Sequence, residues 1–272
     1  MKSVFIEKSL GVDIREESVS LTLVGKKLRT MEVLAGKTIA LKPLTGKDEK
    51  AEKYFLNKVN RFLIDQDTWP ESVVVSLPRS YVTFKTFELP APDLESVRSM
   101  VEFELERQFS AGLEDLYFTF QITPKAENIF HVASAAIKKE IANYYLELIQ
   151  KLNLKTTILD VSTFANVNLA FAQDIENDSP IWALADISPE TLDIALIKND
   201  AIEFSRSLSW ARPAIKDANS GKISDSEQLE NLSREITKSI VDELQRALSS
   251  CRSIEANELV GHIFVTGGGV LV

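Results

Sequence analysis

An internal echo constrains this chain more than any other feature. Residues Val12 to Val24 read VDIREESVSLTLV, and residues Ala185 to Ile197 read ADISPETLDIALI. In each, an apolar residue, Asp and Ile are followed by three variable residues, a Ser or Thr, and then alternating apolar positions. Alternation of this kind marks a half-buried strand. Each segment therefore predicts strand, tight turn, strand, with an aspartate at the end of the first strand. A hairpin used twice predicts two related lobes that face each other across a cleft.

Length fits that reading. Single hydrophobic cores stop growing at roughly 250 to 300 residues, and the chain has 272. Its 44% hydrophobic and 26% charged content is that of a packed globular protein rather than a disordered one. A formal net charge of -9 with no sustained Lys/Arg run argues against a nucleic-acid partner, whose phosphates would be repelled. Cys251 is the one cysteine, and His131 and His262 are isolated. Disulfide frameworks and zinc clusters are thereby excluded, and a reducing compartment fits. Lys2, Glu7, Lys8 and Asp13 interrupt the amino-terminal stretch, so it has no signal-peptide core. No apolar run reaches the ~20 residues of a membrane span. The sequence stops at VTGGGVLV, where a strand-turn-helix unit continues into a helix; the second lobe is expected to be C-terminally truncated.

Helical spacing of Ala51, Phe55, Val59 and Phe62 predicts a helix over Glu49 to Leu63, followed by a buried strand from Ser72 to Leu77. Tyr81 to Leu89 alternates as a strand. Asp93 is a fitting N-cap for a helix from Leu94 to about Phe109. Strands near Leu116 to Ile122 and Ile129 to Ala135 and a helix from Lys138 to Leu152 complete a β-α-β-β-α block that reads as an inserted subdomain. A strand at Thr156 to Asp160 and a helix through Phe164, Val167 and Phe171 follow. The polar run Asp174 to Pro180 is the expected hinge. Expected boundaries are thus 1–80 plus 156–176 for the first lobe, 81–155 for the insertion and 179–272 for the second lobe. In that lobe, Ala201 to Leu208 is a strand, Arg212 to Gln228 the expected mobile loop, Leu229 to Leu248 a long core-facing helix, and His262 to Gly269 a strand entering a glycine turn.

No G-x-S-x-G elbow is present, so acyl transfer has no nucleophile site. His131 and His262 read as structural strand residues, and Trp69 and Trp210 as core aromatics. Glu102, Glu104 and Glu106, with Arg98 and Arg107, read as a solvated helix face.

Taken in order, GVDIREESV, LPRSYVTFKTFELP with MVEFELERQF, VASAAIKKEIANYYLELIQKLNLKTTILDVSTFANVNLAF, LADISPETLDIALI and VTGGG resemble the family of PilM and the cytoplasmic domain of GspL. The resemblance implies an α/β, actin-like (ribonuclease H-like) duplicated fold, two lobes with an inserted subdomain. It also implies a role in the inner-membrane assembly platform of a type IV pilus or type II secretion system. The implied partners are a PilN-like or GspM-like inner-membrane subunit, whose peptide lies between the first lobe and the insertion, the secretion or pilus motor ATPase, and a second copy in a homodimer. The implied location is cytoplasmic, peripheral to the inner membrane, with membrane association through partners or a further C-terminal segment. An active actin-like ATPase or small-molecule kinase is the competing function.

In that fold each hairpin turn wraps a triphosphate, glycines letting backbone N–H groups reach phosphate oxygens. By resemblance the nucleotide-binding residues are Asp13, Ser18, Asp186, Thr191, Gly267, Gly268 and Gly269, with Asp13 and Asp186 holding magnesium through water and ATP as the cofactor. Both aspartates also suit plain turn chemistry. The chain departs from the family pattern at both turns: where Asp-Ile-Gly is expected it has Asp13-Ile14-Arg15-Glu16-Glu17 and Asp186-Ile187-Ser188-Pro189-Glu190. Pro189 has no N–H. A like-charge contact at ~4 Å costs about 1 kcal/mol in water and about 4 kcal/mol at an effective dielectric of 20. Glu16, Glu17 and Glu190 therefore weigh heavily against the ~8 kcal/mol of a micromolar ligand. The expected outcome is a scaffold with degenerate phosphate turns, and no catalytic residue is assigned.

Overall fold

The structure, a computed structural model, describes residues 7–28, 30–46, 48–109, 112–173, 179–251, 253–255 and 258–268. It divides into two compact units: residues up to Tyr81 with Lys138–Ala165, and Val82–Ile137 with the residues from Asn166 on.

The first unit is built on a five-stranded sheet. β1 (Glu7–Ile14) and β2 (Ser18–Lys26) form the predicted first hairpin, and β3 (Met31–Ala40) extends it antiparallel. After α1 (Glu49–Asp65), β4 (Ser72–Leu77) returns parallel to β1, and β8 (Thr156–Val161) adds parallel to β4, giving the order β3-β2-β1-β4-β8. Burial alternates along β1 and β2, with Leu10, Val12, Ile14, Val19, Leu21 and Leu23 inside. α1 starts where the Asp48 side chain accepts from the N–H groups of Lys50 and Ala51, and it buries Ala51, Phe55, Val59, Phe62 and Leu63. α3 (Lys139–Gln150) belongs to this unit. Its Tyr145 hydroxyl donates to the Leu44 carbonyl at 3.1 Å, and its Tyr144 hydroxyl to Glu52 at 3.1 Å. Burial, reinforced by the Glu52 carboxylate, pushes the Tyr144 phenol up to about 12, and burial raises the Tyr145 phenol as well, so both tyrosines serve as neutral donors.

In the second unit, β5 (Val82–Pro90), β6 (Leu116–Ala126) and β7 (Ile129–Lys138) make a three-stranded sheet in the order β5-β7-β6. α2 (Leu94–Gln108) covers it with Val97, Val101 and Leu105, and the predicted N-cap is present: Asp93 accepts from Ser96 N–H at 2.7 Å. The larger sheet has the order β11-β10-β9-β12, from β9 (Ile181–Ile187), β10 (Thr191–Lys198), β11 (Ala201–Ser209) and β12 (His262–Thr266). Here β9 pairs antiparallel with β10 and parallel with β12. The same relation holds for β1 with β2 and β4. The strand order β3-β2-β1-β4 of the first unit therefore recurs in the second as β11-β10-β9-β12, the duplicated α/β arrangement that the resemblance implied.

Three expectations need correction. The second hairpin is not half-buried: nearly every residue of β9 and β10 is inside. One face meets α5 (Pro213–Asn219) and α6 (Ser226–Ser250) through Ile215, Leu232, Ile236, Ile240 and Leu244; the other packs Trp182, Leu184, Ala195 and Ile197 with Val167 of α4 (Ser162–Phe171). Nor is 212–228 a loop throughout. Pro213 opens α5 at a position where a missing N–H costs nothing, and Ile215 is fully buried. The strand β3 was absent from the sequence reading. The expected hinge lies outside the described residues except for Ser179 and Pro180. Trp69 is half-exposed rather than core. Among the described residues no helix is long and apolar enough to cross a membrane.

Ile215→Ala is expected to cost about 2–4 kcal/mol in urea unfolding, as for a core aliphatic, whereas a loop position would stay within about 0.5 kcal/mol. At the end of β8, burial raises the Asp160 carboxyl, partly offset by the Val161 N–H. A carboxyl raised in the folded state binds its proton more tightly there, so its ionisation withdraws stability as pH rises through the folded value. Asp160→Asn should therefore melt higher than the parent at neutral pH, with the difference shrinking as the solution is acidified.

Candidate functional site

The first turn closes β1 onto β2 with a bond from Arg15 N–H to the Ser18 carbonyl at 2.9 Å. Asp13 is paired in register with Ser20 of β2 and with Ser76 of β4. That register delivers the Ser76 hydroxyl to Asp13 Oδ1 at 2.5 Å. Arg15, the first residue past β1, turns back so that its Nε donates to Asp13 Oδ2 at 2.8 Å. The arginine side chain is 14% exposed and the aspartate 31%. Glu16 accepts from the Ser80 hydroxyl at 3.4 Å, and the Glu17 carbonyl accepts from Leu41 N–H at 2.8 Å. Ser18 begins β2, opposite Ala40.

The second turn closes in the same way, with Ser188 N–H donating to the Thr191 carbonyl at 2.9 Å. The Ser188 hydroxyl oxygen accepts from Thr191 N–H at 2.8 Å and from Glu190 N–H at 3.2 Å, and lies 3.1 Å from the Thr191 hydroxyl. Ser188 and Thr191 are buried. The segment after β11 clamps this turn from outside. Trp210 Nε1 donates to the Ser188 carbonyl at 2.8 Å, Trp210 N–H to the Glu190 carbonyl at 3.1 Å, and Arg212 N–H to the Pro189 carbonyl at 2.6 Å. Arg212 lies over the Trp210 ring and reaches α6 through Glu235 and Ser239.

Asp186 is 1% exposed, and its Oδ2 accepts from Asn166 Nδ2 of α4 at 3.0 Å. The same amide donates to the Thr266 hydroxyl of β12 at 3.2 Å, which stands beside Asp186 in the parallel pair. Across the hairpin Asp186 faces the buried Asp193, which accepts from the Ser207 hydroxyl at 2.5 Å. Gly267 then turns with φ +86, and a Cβ on it would stand 2.2 Å from the Ile187 carbonyl oxygen and 2.6 Å from Asp186 Oδ1. Glycine is required there on both counts. The Gly268 carbonyl accepts from Asn219 Nδ2 of α5 at 2.8 Å. Gly269 lies outside the described residues.

Of the sequence-predicted residues, Asp13 and Ser18 flank one turn of the first unit, while Asp186, Thr191, Gly267 and Gly268 are gathered around the second hairpin of the second unit. Missed from sequence were Arg15 and Ser76 as partners of Asp13, Ser188 as the acceptor for its own turn, and Asn166, Thr266 and Asp193 around Asp186. A Ser three residues before a Thr at a turn was the one legible signal, because such hydroxyls bond backbone two or three residues on. His131 is buried in β7 with its Nε2 3.4 Å from Glu203 of β11, and His262 is exposed at the start of β12. On α2, Arg107 pairs with Glu104 at 2.8 Å, as a solvated face does.

The family model for type IV pilus assembly protein PilM matches residues 11–272. No curated protein sequence matches the chain. Among solved structures, one from a PilM–PilN type IV pilus biogenesis complex superposes with a TM-score of 0.73 at 20% identity, over 96% of this chain and 81% of that one. The cytoplasmic domain of EpsL, an inner-membrane component of the type II secretion system of Vibrio cholerae, gives a TM-score of 0.50 at 14% identity, over 80% of this chain and 76% of that one. At these identities the structures speak for the fold, and the family model for membership. The chain belongs to the type IV pilus assembly protein PilM family.

Proposed function

We propose that the chain is a cytoplasmic scaffold in the inner-membrane assembly platform of a type IV pilus or type II secretion system. In this reading it binds the cytoplasmic peptide of a PilN-like or GspM-like membrane subunit, contacts the motor ATPase, and has phosphate turns that no longer serve hydrolysis. The observation that carries the proposal is family membership over nearly the whole chain, joined to likeness with a protein solved in a PilM–PilN complex.

The second turn supports the non-hydrolytic half of the reading. A phosphate held there needs free backbone donors. Pro189 has none, and Ser188 already takes those of Glu190 and Thr191. Filling a turn with its own hydroxyl makes the hairpin a rigid structural element, which suits a docking platform.

The test is titration of the chain with a synthetic peptide spanning the cytoplasmic amino terminus of a PilN-like membrane subunit from the same organism. Saturable one-to-one binding near micromolar affinity, about 8 kcal/mol, is expected. Absence of binding, together with failure to co-purify with any inner-membrane platform subunit, would remove the scaffold reading.

A further inference from the structure

We propose that this chain carries built-in substitutes for the ligands of its fold: Arg15 stands at Asp13 in place of a divalent cation, and the Ser188 hydroxyl stands in the second turn in place of a phosphate oxygen. The inference rests on the scaffold reading for its purpose, since it explains how the hairpins keep their shape without nucleotide.

The two substitutes occupy the same position of the repeat. Arg15 follows Asp13 by two residues, and Ser188 follows Asp186 by two. The family pattern puts glycine at both. Both turns nevertheless close with the same bond, 2.9 Å from the N–H of that residue to the carbonyl three positions on. The two turns therefore share one closing geometry, and in each a side chain stands at the position where the resemblance implies glycine.

In the first turn that side chain is a cation. A guanidinium Nε at 2.8 Å from a carboxylate oxygen is a charge-assisted hydrogen bond, and the Ser76 hydroxyl takes the other oxygen. The Asp13 carboxylate thus has a donor on each oxygen and a positive charge beside it, leaving little for a hydrated metal to gain. In the second turn the side chain is an acceptor. Its oxygen receives two consecutive backbone N–H groups, the arrangement with which a nest of amides holds an anion. Magnesium and triphosphate accordingly do not fit the residues present: the first would compete with a tethered guanidinium, the second with a tethered hydroxyl.

An aspartate kept for a ligand and an aspartate kept for Arg15 differ in sign when removed. Replacing a ligand-binding carboxylate usually stabilises the unliganded protein, because function is maintained at a cost in stability. Replacing one that holds a mostly buried guanidinium destabilises it. By thermal melting of the full chain, Asp13→Asn and Arg15→Met are each expected to lower the midpoint by roughly 5 °C. The double variant should lose less than the sum, and Arg15→Lys should retain more than Arg15→Met. Magnesium with ATP at millimolar concentration is expected to leave the parent midpoint unmoved. Saturable, magnesium-dependent ATP binding by the parent overturns the inference, as does an Asp13→Asn chain that melts at or above the parent. Should Asp13→Asn not fold, the Arg15 pair decides: equal midpoints for Lys and Met at that position overturn it too. Peptide binding by the parent is a separate readout, so the scaffold reading stands or falls independently.

Discussion

A turn between two buried strands must find an acceptor for every backbone N–H, because an unpaired one costs about as much as a lost hydrogen bond. A bound anion can meet that demand, as can a side chain of the turn itself. Here the Ser188 hydroxyl meets it at Glu190 and Thr191, Pro189 avoids it by having no N–H, and Trp210 and Arg212 fasten the turn's carbonyls from the other side. The consequences run outward: Arg212 reaches α6, Ile215 just beyond it enters the core beneath β9 and β10, and α5 ends where Asn219 holds the glycine turn. A stretch that would otherwise be a loop becomes part of the packed unit.

The duplicated sheets show how one topology serves two burial regimes. β1 and β2 bury apolar residues on one face and leave the other half-buried. β9 and β10 are covered by α5 and α6 on one side and by α4 on the other, so polar residues survive there only when paired. Asp186 has Asn166, and Asp193 has Ser207. Gly267 completes the arrangement, since its Cα must pass the Ile187 carbonyl at a distance no side chain allows.

Much of this was legible in the residues. The paired motifs gave both hairpins, helical spacing gave α1, α2, α3 and α6, and Asp93 gave its own cap. β3 was missed because MEVLAGKTIA shows no alternation. It is an edge strand, exposed at Met31, Glu32 and Val33, and the sheet rather than a core selects it. α5 was missed because its sequence is polar around a single buried Ile215. At the site, Asp13 and Asp186 could be located from the repeat, whereas their partners Ser76 and Asn166 lie 63 and 20 residues away, and Trp210 lies 22 residues from the Ser188 carbonyl it holds. Only the register of the sheets, the packing of α4 and the path of the chain after β11 bring those together, and no local pattern encodes them.

The central claim is that the second turn is satisfied from within. Backbone amide exchange at Glu190 and Thr191, followed by NMR on the ligand-free chain, reads this directly. The account predicts that both N–H groups exchange slowly, at rates set by opening of the unit, and that adding magnesium and ATP changes neither. Fast exchange at both positions in the free chain, slowed only when nucleotide is added, would show donors left open for phosphate and would contradict it.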